Sequence, residues 1–315
     1  MLKEVFYWIL NMSIIAALFG IFIYLIRLIT VMPKFMNYSL WSIVFFRLIC
    51  PVGISSEYSL LTLLSKLISN TLVKTIHLDS GARSFIRMPE LSMTNVLQTA
   101  KNYQPLVLRS DISDTLFWVA SILWIIVAAA ALLTVLIMYL LATSEVKKAN
   151  HIVGNLYEGT MVTTPMVYGI LKPRIVLPVG MEQEDLKYIL AHERVHIRRR
   201  DNLWRMLGIT AACLHWFNPL VWVFLRGFLE DCELACDQSA IRDMSREERK
   251  KYAHTLLSYS TKEATIFIAA FGSSKIKVRI QHILSYKRLT LLSSAFFIGM
   301  LITVVVLLLT NASHY

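Results

Sequence analysis

The chain has 315 residues, 56% of them hydrophobic and 17% charged, with a mean hydropathy of +0.56 and a net charge of +11. It is far too apolar for an ordinary soluble domain. Its positive charge reads as a face set against anionic lipid, and with no recognisable DNA-reading module no direct nucleic-acid contact is expected.

Residues 8–26 form an apolar run ending at Arg27. The run is too long for the core of a signal peptide, and no small-x-small cleavage site precedes Arg27, so an uncleaved membrane anchor is expected. A second candidate span, residues 40–54 ("LWSIVFFRLICPVGI"), is shorter and contains Arg47 and Pro51. A central arginine costs roughly 2.5–3.5 kcal/mol on insertion scales, less where it pairs. Residues 55–114 are mixed in character, with an apolar stretch at 60–67, and suit either an outside-facing lid or a structured linker. Residues 116–142 and 289–310 carry no charge, and each is long enough to cross a hydrocarbon core of about 30 Å.

Orientation follows from the basic residues. Of the 32 lysines and arginines, 22 lie between Thr143 and Arg288, against six in 55–114. The positive-inside rule puts the first region in the cytoplasm and the second outside. The expected division is 1–54 (spans one and two), 55–114 (extracytoplasmic), 115–142 (span three), 143–288 (cytoplasmic domain) and 289–315 (span four and a short outer tail). Three of the four cysteines, Cys213, Cys232 and Cys236, fall on the reducing side, and Cys50 lies in a span, so no disulfide framework is implied.

The cytoplasmic region opens with "HIVGNLYEGTMVTTPMVYGILKPRIVLPVGM", short β-branched runs with turns near Gly159 and at Leu171-Lys172-Pro173. From Gln183 the pattern turns helical, with Glu184 and Asp185 at the positive end of a helix dipole. The helix carries "AHERVHIRRRDN". His192 and His196 lie one turn apart, so both imidazoles point the same way. H-E-x-x-H supplies two nitrogen ligands for zinc and leaves Glu193 beside the metal, where it can take a proton from the attacking water.

A catalytic zinc needs a third protein ligand. The metzincin continuation needs glycine and histidine where this chain has Arg199 and Asn202, so that branch is excluded. The gluzincin solution is a glutamate on a later helix, and "EDCELACDQSA" offers Glu230, Asp231, Glu233 and Asp237. Glu233 and Asp237 share a helix face; one can bind zinc while the other accepts the second N–H of a ligand histidine. Glu230 competes for the ligand role, and Cys236 reads more readily as a small buried residue. Between the two halves lies "LWRMLGITAACLHWFNPLVWVFLRGFL", apolar enough for a span. A crossing there would put Glu233 a membrane thickness from His192. Asn218-Pro219 offers a break, so helices that pack on the spans or dip into the bilayer and return are expected.

Four segments, "MVYGILKPRIVLP", "AHERVHIRRRDN", "HWFNPLVW" and "ELACDQSA", in this order and spacing, resemble the membrane metallopeptidase domain of BlaR/MecR-type antirepressors. The likeness runs over essentially the whole chain. It implies a mainly α, polytopic membrane protein with about four transmembrane helices and a cytoplasmic gluzincin-like α+β zinc metallopeptidase domain. It further implies a protease of the plasma membrane, active on the cytoplasmic side, that cleaves itself and leads to cleavage of a cytoplasmic winged-helix repressor in an antibiotic response. Carried over, His192, His196 and Glu233 are ligands of Zn2+, Glu193 is the general base and Asp237 supports a ligand histidine. A strand near residues 166–171 is expected to offer its edge to an extended peptide.

In those sensors a penicillin-binding domain follows the last span; here Tyr315 comes five residues after Thr310. The expectation is either a truncated chain or a shorter relative lacking that sensor, with input from a separate sensor partner or from 55–114. Residues 272–288 are a candidate self-cleavage region or an ordinary basic linker. Tyr168, His215 and His254 are candidates for oxyanion support. Two other readings stay open: a catalytically idle transducer with a structural zinc, against which an intact Glu193 argues, and a membrane protease of quality control or peptide processing.

Overall fold

The computed structural model describes residues 2–27, 32–50, 55–56, 111–160, 162–260, 276–287, 290–309 and 311–312. Most of the 55–114 segment, the beginning of the 272–288 stretch and the end of the chain lie outside the described residues.

The described residues are mainly helical, with one small sheet. In chain order they form α1 (Leu2–Arg27), α2 (Lys34–Ile49), β1 (Ser55–Ser56), α3 (Asp111–Lys147), β2 (Asn150–Val153), β3 (Leu156–Gly159), β4 (Met166–Tyr168) and β5 (Arg174–Pro178). There follow α4 (Gln183–Arg199), α5 (Asp201–Leu214), α6 (Pro219–Ala240), α7 (Arg246–Ser260), α8 (Ile276–Leu284), α9 (Leu291–Leu309) and β6 (Asn311–Ala312).

Two described helices are long and apolar enough to cross a membrane, α1 and the Thr115–Ser144 part of α3. Half of the best window of α1 is buried against other helices, but only 6% of that of α3 is, so α3 presents an apolar surface nearly all round. The two remaining expected spans are shorter. α2 has 16 residues and stops at Cys50, ahead of Pro51, since the residue before a proline is pushed out of the helical region. The apolar part of α9 is Leu292–Val306.

The bundle core is built by α1, α2, α5, α6 and α9 around Phe19, Trp41, Phe45, Leu48, Phe224 and Phe228. Small residues set the approach distances, as they do where dispersion contacts rather than water expulsion hold helices together. A Cβ on Gly20 would come 2.1 Å from a Phe224 ring carbon, and one on Gly227 2.9 Å from the Trp41 ring. Arg47 is buried with its guanidinium 5.7 Å from the centre of the Phe19 ring, which offsets part of the cost of a charge in this helix.

The apolar stretch 203–229 is a helical hairpin. α5 ends at Leu214, and Asn218 caps α6 by accepting from the Leu220 N–H at 3.0 Å, with Pro219 as its first residue. The turn of the hairpin lies beside the starts of α1 and α3: Phe6 packs on Phe117, Trp124 and Phe217. His215 Nε2 lies 2.9 Å from the Leu48 carbonyl at the end of α2. At the opposite end of the bundle, Arg27 meets Glu230 at 2.7 Å and Asp231 at 2.9 Å, and the Trp41 indole donates to Asp231 at 2.9 Å. The hairpin therefore runs the length of the bundle and returns, bringing the end of α6 back to the start of α5. β1 and β6 pair in parallel, which brings the chain just beyond α2 and α9 together.

The four-stranded sheet has the order β2-β3-β5-β4, with β3 parallel to β5 and β4 antiparallel to it. The Leu171-Lys172-Pro173 turn joins β4 to β5, as the sequence predicts, and Gly159 closes β3. Ile175 and Leu177 of the central strand pack on Ile189 of α4, so the sheet leans on the histidine-bearing helix. Tyr188, Ile241, Tyr252 and Ile283 form a second small core joining α4, α7 and α8.

Candidate metal centre

α4 begins at Gln183, with Glu184 and Asp185 in its first turn. It ends abruptly at Arg200, whose φ of 56° makes it left-handed, the one non-glycine with positive φ among the described residues. That conformation costs an L-residue roughly 1–2 kcal/mol. It turns the chain back at once, so that Asp201, first residue of α5, meets the histidine five positions earlier.

His192, Glu193 and His196 are all buried. The two Nε2 atoms lie 3.1 Å apart. Glu233 of α6 faces both, with Oε2 3.5 Å from His192 Nε2 and Oε1 3.6 Å from His196 Nε2. Each imidazole is oriented through its other nitrogen. His196 Nδ1 lies 2.6 Å from Asp201 Oδ2. His192 Nδ1 lies 2.7 Å from Tyr252 Oη and 3.2 Å from Asp237 Oδ1. Tyr252 donates its own proton to Asp237 at 2.7 Å, so its oxygen turns a lone pair to His192. With Nδ1 protonated on both rings, both Nε2 lone pairs point at the space shared with Glu233.

Two arginines complete the charge pattern. Arg205 of α5 approaches Glu233 Oε1 at 2.5 Å, and Arg279 of α8 approaches Oε2 at 3.1 Å. Arg279 also holds Asp237 by two bonds of 2.7 Å, one to each oxygen. Burial alone would raise both carboxyls. The guanidinium of Arg279, with the neighbouring histidines, outweighs it and holds Asp237 at about 2 and Glu233 well below the usual carboxylate range. Burial favours the neutral form of both histidines, but Cys236 and the surrounding acidic groups overrule it and raise both well above the ordinary value. The pocket thus favours positive charge where the Nε2 atoms converge. Two inward nitrogens and a carboxylate held ionised suit a divalent cation of borderline softness.

Other donors lie near. Cys236 Sγ is 3.5 Å from His192 Nδ1, and both His192, His196, Cys236 and His196, Asp201, Cys232 bring donor atoms within 4.8 Å of one another. Cys236, however, meets His192 at the nitrogen already taken by Tyr252. Glu233 faces the Nε2 atom of both rings.

The remaining candidates are drawn elsewhere. Glu230 and Asp231 are held by Arg27. His215, expected as possible oxyanion support, is fully buried at the other end of the bundle, separated from Asp201 by the whole of α5. Tyr168 donates to the Tyr139 carbonyl at 2.7 Å and also contacts Thr143, which ties it to α3. His254 is exposed on α7. β4 lies at the sheet edge, but the carbonyls of Val167 and of Gly169 just beyond it accept from Asn202 at 3.0 and 3.1 Å, so a peptide would meet an edge already partly paired. Asp201, Arg205, Tyr252 and Arg279 were not singled out from the sequence. Asp201 had a signal, an acid five residues beyond the second histidine across a forced helix end; the other three had none, because tertiary packing brings them in.

A family model described as BlaR1 peptidase M56 matches residues 7–283. The chain is 29% identical over 136 residues to the methicillin resistance mecR1 protein of Staphylococcus aureus, covering 40% of this chain and 23% of that protein. It is 28% identical over 136 residues to the regulatory protein BlaR1 of Bacillus licheniformis, with the same coverage. Against BlaR1 of Staphylococcus aureus the figures are 26% over 100 residues, 30% of this chain and 17% of that protein. The matched part is thus a quarter or less of each relative's length.

Proposed function

The chain belongs to the BlaR1 peptidase M56 family, a family of metallopeptidases, and from that premise we propose that it is an integral-membrane zinc endopeptidase that signals by proteolysis. The observation that carries this reading is the convergence of both Nε2 atoms on Glu233, each imidazole backed by its own acid. His192, His196 and Glu233 would hold the zinc. When bound, zinc polarises a peptide carbonyl and acidifies water toward pKa about 7.

The chain's own residues do the rest. Glu193 takes the proton of the attacking water and passes it to the departing amine. Asp201, and Tyr252 with Asp237, fix the histidine tautomers and so keep both Nε2 lone pairs available. Arg205 and Arg279 keep Glu233 ionised and oriented. The surrounding helices exclude water, which strengthens each of these interactions.

The proposed topology has four spans, α1, α2, α3 and α9, with 143–288 in the cytoplasm of a plasma-membrane protein and the α5–α6 hairpin dipping into the bilayer. Support comes from the helix ends: the starts of α1 and α3 and the ends of α2 and α9 fit one side, and Arg27 with the metal centre fits the other. The basic residues of 143–288 suit the cytoplasmic side. The substrates proposed by likeness to the mecR1 and BlaR1 proteins are a cytoplasmic winged-helix repressor and the chain itself, with the signal entering through a separate sensor partner or the 55–114 segment.

The test is proteolysis by the membrane-reconstituted chain with a candidate winged-helix repressor, comparing wild type with Glu193→Ala. Cleavage of either protein by wild type and by no Glu193→Ala preparation is expected. Equal cleavage by both would remove Glu193 from the mechanism. Zinc bound through Cys236 with no cleavage of any substrate would favour the idle transducer.

A further inference from the structure

We propose that the sheet end carrying the β2–β3 and β4–β5 turns is a second membrane contact, resting in the headgroup region of the bilayer that α3 crosses. This rests on α3 as a membrane span, and on neither its orientation nor the chemistry.

Three apolar side chains stand out at these turns: Leu171 is 93% exposed, Val153 66% and Ile152 50%. They come from two separate loops that the strand register brings together. β3 runs parallel to β5, with Leu156 opposite Ile175, so the turn before β3 and the turn before β5 share one end of the sheet.

The position of that end along α3 is set by contacts. Tyr168, the last residue of β4, stacks on Tyr139 with ring centres 5.4 Å apart and donates to the Tyr139 carbonyl at 2.7 Å. At the other end of the sheet, a Cβ on Gly159 would lie 3.5 Å from the Cβ of Ala149. From Tyr139 in α3 towards Ala149, two residues past its end, the sheet therefore runs from its turn-bearing end to its opposite end. The turns lie level with Tyr139, inside the apolar stretch Thr115–Ser144, while the opposite end lies beyond it. A turn beside a lipid-facing stretch of helix is at the depth of the bilayer boundary.

The composition fits that depth. Tyr139, Tyr157 and Tyr168 supply the amphipathic rings favoured at a membrane interface. Lys172 and Arg174, the latter 4.8 Å above the Tyr157 ring, flank the apolar tips and suit anionic headgroups. Covering Leu171 and Val153 with lipid also removes the contradiction of large aliphatic side chains in water at the tips of tight turns. As a consequence, β4 and the metal centre beside it are held at the bilayer surface, where segments tethered to the membrane are the accessible substrates.

The protein contains its own control. Val179 is 57% exposed, comparable to Val153, but follows β5 and so lies at the opposite end of the sheet. The experiment uses the full chain in phosphatidylcholine–phosphatidylglycerol vesicles, with Cys50→Ser to remove the thiol that is not buried. Single Leu171→Cys, Val153→Cys, Val179→Cys and Leu133→Cys variants carry an environment-sensitive fluorophore, read by quenching from brominated lipids and from aqueous iodide. We expect lipid quenching at Leu133, and quenching at Leu171 and Val153 at least about twofold greater than at Val179. Leu171 and Val153 matching Val179 while Leu133 is quenched would overturn the second contact and leave the span intact. Shielding of Leu171 from both quenchers would replace lipid with a protein partner and also overturn it. No lipid quenching at Leu133 would instead remove α3 as a span and the inference with it.

Discussion

Helix α6 begins in an apolar environment and ends in an ionic one. Between Val221 and Phe228 it packs Phe224 and Phe228 against α1 and α2. From Glu230 to Asp237 its acids face Arg27, Arg205, Arg279 and two histidines. In the first half only shape has to match, so a change of volume should cost a graded amount. In the second half each buried charge depends on a named partner, so removing one group strands another. The first half sets the height and angle of α6; the second uses that placement to bring Glu233 to the histidines.

The largest expected effect belongs to chemistry alone. Glu193→Gln should lower single-turnover cleavage by about 10²–10⁴-fold while zinc content stays at the wild-type level. Loss of zinc as well would mean that Glu193 shapes the site rather than moving protons. Next comes Arg279→Leu, which takes from buried Asp237 its guanidinium partner and leaves Glu233 with Arg205 alone. Denaturant unfolding in mild detergent should show a loss of about 3–5 kcal/mol, and a loss under 1 kcal/mol would mean the carboxylates find other partners.

The apolar half should respond more mildly. Gly20→Ala drives a Cβ into the Phe224 ring, and α1 and α6 must separate; the expected cost is about 1–3 kcal/mol in the same unfolding measurement. No change would show that the two helices are not in contact at that point. A smaller effect is expected from Asp201→Asn, which keeps its shape but loses its charge beside His196. Zinc affinity from chelator competition should fall about 10–100-fold, and an unchanged affinity would separate Asp201 from the metal centre.

The smallest effect lies outside both halves. The exposed Lys187–Glu248 pair clasps α4 to α7 at 2.8 Å, and the Lys187 hydrogen bond, with the Ser245 backbone, holds Glu248 at about 2. A depressed carboxyl stabilises above its ordinary titration range and loses that contribution as pH falls through about 2. Melting temperature should therefore show no step from this group between about pH 7 and pH 5, and Glu248→Gln should move it by no more than about 2 °C. A larger shift would make the clasp part of the site's support.

Much of this contrast was legible in the residues. The charge-free run of α3, the helix from Gln183, the H-E-x-x-H spacing and the Asn218-Pro219 break are local signals, and the structure has a helix or a turn at each. Glu233 could be narrowed to a face shared with Asp237 but not separated from Glu230 by spacing, because the contact that draws Glu230 aside is with Arg27, some 200 positions away in the chain. Arg279 was hidden for the same reason: a lysine- and arginine-rich approach to an apolar helix looks like any basic linker until α8 is folded against α6. His215, beside Trp216 in an apolar stretch, reads from its surroundings more as a packed histidine than as a catalytic one, and its Nε2 lies against the Leu48 carbonyl in the bundle.

The most direct test of the central claim, that Glu233 joins His192 and His196 in one metal centre, is the zinc bound per chain by membrane-reconstituted Glu233→Ala beside wild type, read by elemental analysis after dialysis against a weak chelator. About one zinc is expected in wild type and essentially none in the variant. Full retention of zinc by Glu233→Ala would contradict it and move the third ligand to another donor, with Cys236 the nearest.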